Sequence, residues 1–436
     1  MSSPSKKVYL PLAKLENCAK CGSTKNPRLC AACNERTYCS PTCQKEDWPV
    51  HKTACGKTDK LQLDVFYPFI AALADSAHVH NAKPQHPALR RVIINAPNPD
   101  TRPVGFPDGS AARLVMLGEK LEHDSLIGSR TWFPMALTDK TRSKLFRRIS
   151  REGQVLPILM AICLTLLTEI YTTTAGPGSG DSGPRRRLRL AYKSSPIADF
   201  GIVSGAADVK NQDKLAYWDV ADPDMPLFKG QDPNDHYWLY FTTTRGETVT
   251  IDCAMFTFNM CLCANVEPYL TQYTPGLLFA PVYYHERKME ETTPGLYTER
   301  TRVSVLRNTD LHRVVERSLS GYNDPEIDLV RDFMQNLARR EILEEEIDFL
   351  FPLVIVQRLA LATVIKQRAW EGWPKQGPVI GIEQDPGEFV DNGLDDDEGW
   401  AKYLRKFKKS KKAGAGKEEL NEAFRKWQRK HMKKGQ

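Results

Sequence analysis

Apolar positions along this chain follow two periods, and these sort it into helical and extended regions. From Leu61 to Asn81 the spacing of Phe66, Phe69, Ile70 and Leu73 predicts a helix. A long helical stretch is expected from about Asp139 to Tyr171. Its apolar heart, Val155 to Leu167, contains Pro157, Cys163 and Thr165 and ends at Thr168-Glu169. That run is shorter than the ~18–20 residues that cross a bilayer, so it reads as a core helix.

Between these helices, short runs bounded by Pro or Gly read as strands: Arg91–Ile94 and Arg113–Met116. Thr172 to Arg187 (TTTAGPGSGDSGPRRR) carries neither period and is a loop. After it the pattern turns extended at Leu188–Tyr192, Leu215–Trp218, His236–Thr243 and Thr248–Met255, the last two forming a hairpin around Thr244-Arg245-Gly246. Helices return at Asp324-Pro325, an N-cap with Pro at N1, where Val330, Phe333, Met334 and Leu337 share a face. A second helix is expected from Pro352 to about Glu371, closed by Gly372.

Composition adds a polarity to this layout. The 436 residues have a net charge of +7, but Ala401–Gln436 holds 14 bases and 3 acids, net +11, leaving −4 on the rest. Glu383–Glu398 has eight acids and no base and reads as a solvated linker. The tail contains Lys406-Phe407-Lys408-Lys409-Ser410-Lys411-Lys412, then a helix with Leu420, Phe424 and Trp427 on one stripe. Such a tail suits nuclear import, salt-sensitive nucleic-acid contact or solubility. The N-terminus lacks the apolar core of a secretory signal, so the expected setting is the cytoplasm and/or nucleus, with no membrane partner.

Seven of the 11 cysteines lie between Cys18 and Cys55, spaced Cys18-x2-Cys21-x8-Cys30-x2-Cys33-x5-Cys39-x3-Cys43-x7-His51-x3-Cys55. Zinc takes four nitrogen or sulfur ligands, and a C-x2-C turn places two sulfurs on one ion. Eight ligands make two closed sites with no position left for water, so two structural zinc ions are expected. So short a segment has little apolar surface, and metal binding must supply its folding energy, on the order of 10–16 kcal/mol per site. Ser40 is a suitable N-cap, Pro41 fits N1, and His51 and Cys55 share a helical face. Pro49 is expected to start a second short helix or kink the first.

The ligand run, with Tyr38, Ser40, Gln44 and Trp48, closely resembles an MYND zinc finger. The resemblance implies cross-brace ligation, with Cys18, Cys21, Cys39 and Cys43 on one ion and Cys30, Cys33, His51 and Cys55 on the other. It also implies a protein-interaction module, since several MYND fingers take proline-rich peptides of PxLxP type. Gln44 and Trp48 match the positions lining that groove, where an extended ligand loses little entropy and stacks on an aromatic ring. The alternative for Trp48 is cover for the zinc site or packing on the body. The whole-chain pattern is similar to uncharacterised MYND-finger proteins of fungi, a likeness that assigns the body no activity.

Two enzymatic alternatives remain. Cys163, His236 and Asp252 are candidates for a Cys–His–Asp site, in an order similar to papain-like and transglutaminase-like folds. With a three-residue loop and Gly246 left-handed, Trp238 faces Asp252, and His236 and Asp252 share a sheet face within reach of each other. The neighbours of Cys163 suggest instead a buried inert thiol. SET-type methyltransferases also carry MYND fingers. However, only 17 residues precede Cys18, no Asn-His-x-Cys segment is present, and Arg245-Gly246-Glu247-Thr248-Val249 echoes a SET motif faintly.

The expected protein is α+β. It comprises a lead (1–17), a two-zinc finger (18–55), a mixed helix/sheet body (61–380), an acidic linker (383–398) and a basic helical tail (401–436). Its expected role is that of an interaction or scaffold protein, with transcriptional regulation implied by the resemblance alone.

Overall fold

The finger region forms two short strands, β1 (Arg28–Leu29) and β2 (Thr37–Tyr38), and the helix α1 (Pro41–His51). The computed structural model describes residues 7–15, 17–53, 55–56, 58–97, 102–172, 188–193, 195–220, 227–276, 278–285, 295–317, 322–378, 380–382 and 426. The acidic linker, the basic tail apart from Lys426, and loop residues 173–187 lie outside these.

Four residues after Cys55 the chain enters β3 (Asp59–Gln62), then α2 (Leu63–Ala77), whose apolar face is the predicted one. A small sheet follows from β4 (Arg91–Ile93), β5 (Val104–Gly105) and β6 (Ala111–Lys120), later joined by β9 (Leu215–Asp219) and β10 (Leu227–Lys229). It has its own core of Ile93, Val115, Leu117, Trp132, Phe133 and Tyr217.

The long helix expected over 139–171 is two helices, α3 (Asp139–Ser150) and α4 (Val155–Ile170), bent by 73°. The cause is local. Gly153 and Gln154 both adopt left-handed backbone, φ 72 and 57, which no α-helix continues through. α3 is buried on two opposite faces. Leu145 and Ile149 enter the small core, while Arg147 and Arg148, with Arg151 just past the helix end, reach other elements of the body; these three and Lys144 are also buried. Arg148 donates to the carbonyls of Thr257 at 3.1 Å and Asp213 at 2.7 Å, Arg147 lies over the Phe256 ring at 4.5 Å, and Arg151 pairs with Asp75.

The main sheet is built on β7 (Leu188–Tyr192), β8 (Ser195–Ala207), β11 (His236–Thr243), β12 (Thr248–Asp252), β15 (Tyr283–His285) and β16 (Tyr297–Ser304). Its order is β15-β12-β11-β8-β7-β3, with β16 on the far half of β8. β3 runs parallel to β7; the other pairs are antiparallel. One face sends Tyr237, Leu239, Phe241 and Ile251 into the main core, and the other carries Trp238, Tyr240 and Val203. At Gly205 an added Cβ would lie 2.2 Å from the Thr298 carbonyl and 2.6 Å from the Trp238 ring, so only glycine admits β16 this closely. A minor sheet, β14 (Phe279–Pro281), β13 (Leu262–Asn265) and β17 (Ile380–Ile382), completes the strands described.

The main core is closed by α4, every residue of which is buried, against α5 (Thr309–Arg317), α6 (Asp324–Ala338) and α7 (Glu344–Gln367). α7 begins eight residues before the expected start at Pro352. Pro352 is tolerated inside it on the exposed side, and Glu346 Oε2 accepts the Leu343 N–H at 3.0 Å to cap the helix. Among the described residues α7 has the length and apolar content of a membrane span, but it is laid out as a core helix. Its Arg358 meets Glu169 of α4 at 3.2 Å, and Gln357 donates to the Leu73 carbonyl. The chain's lead is tied to the body as well, with Tyr9 N–H on the Tyr171 carbonyl at 2.7 Å and Arg307 on that of Pro11 at 3.1 Å.

Candidate metal centre

The eight ligands fall into two clusters in which the donor atoms all lie within 4.8 Å of one another. Cys18, Cys21, Cys39 and Cys43 form one, and Cys30, Cys33, His51 and Cys55 the other. The first and third ligand pairs share a site, as do the second and fourth, which is a cross-brace. All eight belong to the pattern read from spacing.

The donor distances fit a metal and not disulfides. A tetrahedron with zinc–sulfur bonds of about 2.3 Å has edges near 3.8 Å, whereas a disulfide is about 2.05 Å. Cys21–Cys39, Cys39–Cys43 and Cys43–Cys21 are 3.5, 3.6 and 3.7 Å apart at sulfur. At the second site Cys30–Cys55 is 3.7 Å, and Cys33 Sγ to His51 Nε2 is 3.4 Å, the shorter edge expected where nitrogen replaces sulfur. Each cluster is a closed four-donor cradle, fit for structural zinc.

Local sequence places these donors. Ser40 Oγ accepts the Cys43 N–H at 3.2 Å, capping α1 with Pro41 at its first position. No second helix starts at Pro49, contrary to one of the two expectations: α1 runs unbroken to His51 with Pro49 inside it. The carbonyl Pro49 leaves unpaired, that of Lys45, belongs to an exposed residue where water can take the bond. Cys55 N–H then reaches the His51 carbonyl at 3.0 Å, fixing the last two ligands as one turn.

A buried acid beside the sites carries no signal in the ligand pattern. Asp47, on the inward side of α1, accepts from Tyr38 Oη at 2.7 Å and faces Arg36 Nε at 2.8 Å. Burial, reinforced by the Asp47 carboxylate, holds the Tyr38 phenol well above its ordinary pKa, so it remains a donor. In the sequence Asp47 is simply an acid two residues before Pro49, which reads equally as solvated. Across the seam, Glu35 of the finger meets the buried Arg189 of β7 at 3.5 Å, so the finger rests on the body.

Gln44 Nε2 donates to Cys30 Sγ at 3.7 Å, so its amide braces a zinc ligand. One turn on, Trp48 is 45 % exposed and meets the His51 ring edge-on at 6.0 Å. The ring is therefore neither fully spent on the zinc site nor sealed against the body.

The body candidates separate. The hairpin has the three-residue loop, with Gly246 at φ 82 and Leu239 opposite Ile251. His236 Nε2 lies 2.6 Å from Asp252 Oδ2, which also accepts from Tyr297 Oη at 2.8 Å. Cys163 is not brought to them. It is fully buried on α4, has no hydrogen-bond partner among the described residues, and burial pushes its thiol pKa far up. His236 is also fully buried, and its Nδ1 has no hydrogen-bond partner among the described residues. Among the described residues the arrangement is an interior His–Asp–Tyr bond set to which Cys163 is not hydrogen-bonded.

Compared with known proteins, residues 18–55 match the MYND finger family. No curated protein and no solved structure matches the chain. The finger is an MYND finger with two zinc-binding clusters, and the match covers only that segment.

Proposed function

We propose that this protein is an adaptor that captures a proline-rich, PxLxP-type peptide on its MYND finger, in the cytoplasm and/or nucleus and in the service of transcriptional regulation. One observation carries the reading: the half-exposed Trp48 ring standing one helical turn from Gln44, on a helix pinned at both ends by zinc ligands. A ring presented on so rigid a base loses little entropy when a polyproline-type segment stacks on it. The metal is structural in this scheme; it shapes the surface and takes no part in chemistry.

Titration of the intact zinc-loaded protein with a PxLxP peptide, followed by calorimetry, tests the proposal. Trp48→Ala is expected to weaken binding by about two orders of magnitude, the scale of an aromatic hot spot, with two zinc ions retained. Undiminished binding by that variant removes the groove from consideration.

A further inference from the structure

The finger and the main sheet do not meet along their whole seam. Between them lies a cavity of about 680 Å³ whose floor is the outer face of β3 and β7. Lys60 and Gln62 of β3 and Ala191 of β7 form that floor, while Leu61, Leu188 and Leu190 point the other way into the core. Arg28 and Leu29 of the finger make one wall, and Arg245 at the tip of the β11–β12 hairpin makes the opposite one.

The charge lining this cleft is one-sided. Arg28, Lys60 and Arg245 are exposed and converge on it from three different elements, and among the described residues no carboxylate lines it. Among the described residues none of the three has an ion-pair partner. Below them, Arg189 sits opposite Lys60 in the strand register, with its guanidinium buried. Among the described residues its one acid is Glu35 at 3.5 Å and none of its three nitrogens has a hydrogen bond, so the positive potential of the floor is incompletely offset.

We propose that this cleft is a second protein-binding site, which takes an extended acidic peptide segment of a partner. Charge complementarity selects the occupant's sign. The rest of the lining selects its type. Among the described residues no aromatic ring faces the cavity, so they offer no platform for stacking nucleobases, as single-stranded nucleic acid uses. The apolar Leu15, Leu29 and Ala191 suit small aliphatic side chains alternating with the acids, as an extended strand presents them. The site is independent of the Trp48 groove, because its decisive cations, Lys60 and Arg245, belong to the body.

Fluorescence anisotropy of the intact, zinc-loaded chain with a labelled peptide alternating glutamate and valine provides the test. Binding is expected to weaken with added salt and to disappear when glutamine replaces glutamate. The double substitution Lys60→Glu with Arg245→Glu should weaken it at least about tenfold, as removal of steering and paired charge does. Lys60→Arg with Arg245→Lys should retain it, which separates lost charge from lost fold. Trp48→Ala should leave it unchanged, so failure of either site is read independently. Equal binding by the charge-reversed protein overturns the proposal. Oligothymidylate binding as tightly, and lost in the same variant, overturns it in favour of a general polyanion surface. Binding that emerges only after the eight acids of 383–398 are replaced by amides overturns it in favour of the chain's own segment as occupant.

Discussion

The finger and the body of this molecule are held together by different means. The finger's buried apolar set is Cys18, Cys30, Cys33 and Tyr38, of which three are ligands, so without metal almost nothing remains to bury. The body buries all of α4 and most of α2 in one continuous cluster that needs no ion. Ligand chemistry demands fixed residue types at fixed spacing, whereas packing accepts many sequences. The finger's construction is thus written in eight positions, and the body's is spread over scores of them.

Metal removal should separate the two regions most strongly. Chelation is expected to unfold residues 18–55, a loss on the order of 10 kcal/mol or more per site. Hydrogen exchange should show that segment unprotected while α4 and β11 remain protected. Protection lost in all three would mean that the finger and the body share one cooperative unit.

The reverse perturbation is smaller. Leu164→Ala, at a fully buried position of α4, should cost about 2–5 kcal/mol, read as a lowered urea midpoint with unchanged zinc content. Zinc loss in that variant would break the distinction from the other side.

Two substitutions probe what the finger has besides metal. Asp47→Ala strands the Tyr38 hydroxyl and the Arg36 guanidinium and should cost about 1–3 kcal/mol, seen as faster zinc transfer to a competing chelator. Ser40→Ala removes the cap of α1 and should cost about 1 kcal/mol in the same assay. If either effect rivals that of chelation, the polar scaffold and not the metal dominates the finger.

The same contrast explains what could be read in advance. The ligand pairs, the cap at Ser40 and the hairpin register follow from residue identity at a few positions. Gly246, for instance, fixes the pairing that joins His236 to Asp252. β8 was not visible, because its Ala, Gly and Ser positions lack the branched and aromatic residues by which strands are recognised, and its stability comes from neighbours on both sides. The bend after α3 hides in Gly153-Gln154 within an otherwise helical run. The basic side of α3 reads as a solvated face. It is buried because carbonyls and an aromatic ring from distant loops receive its cations, and local sequence cannot announce such partners.

That helix has a bearing on how the molecule can be dissected. α3 gives Leu145 and Ile149 to one core, and with Arg151 at its C-terminal cap it gives three guanidinium groups to the wall of the other. Cutting the small sheet away would strip those cations of their acceptors or leave Trp132 and Phe133 uncovered. A shortened clone ending on either side of α3 should therefore yield insoluble material, and the small sheet is a rib of the body, not a detachable piece.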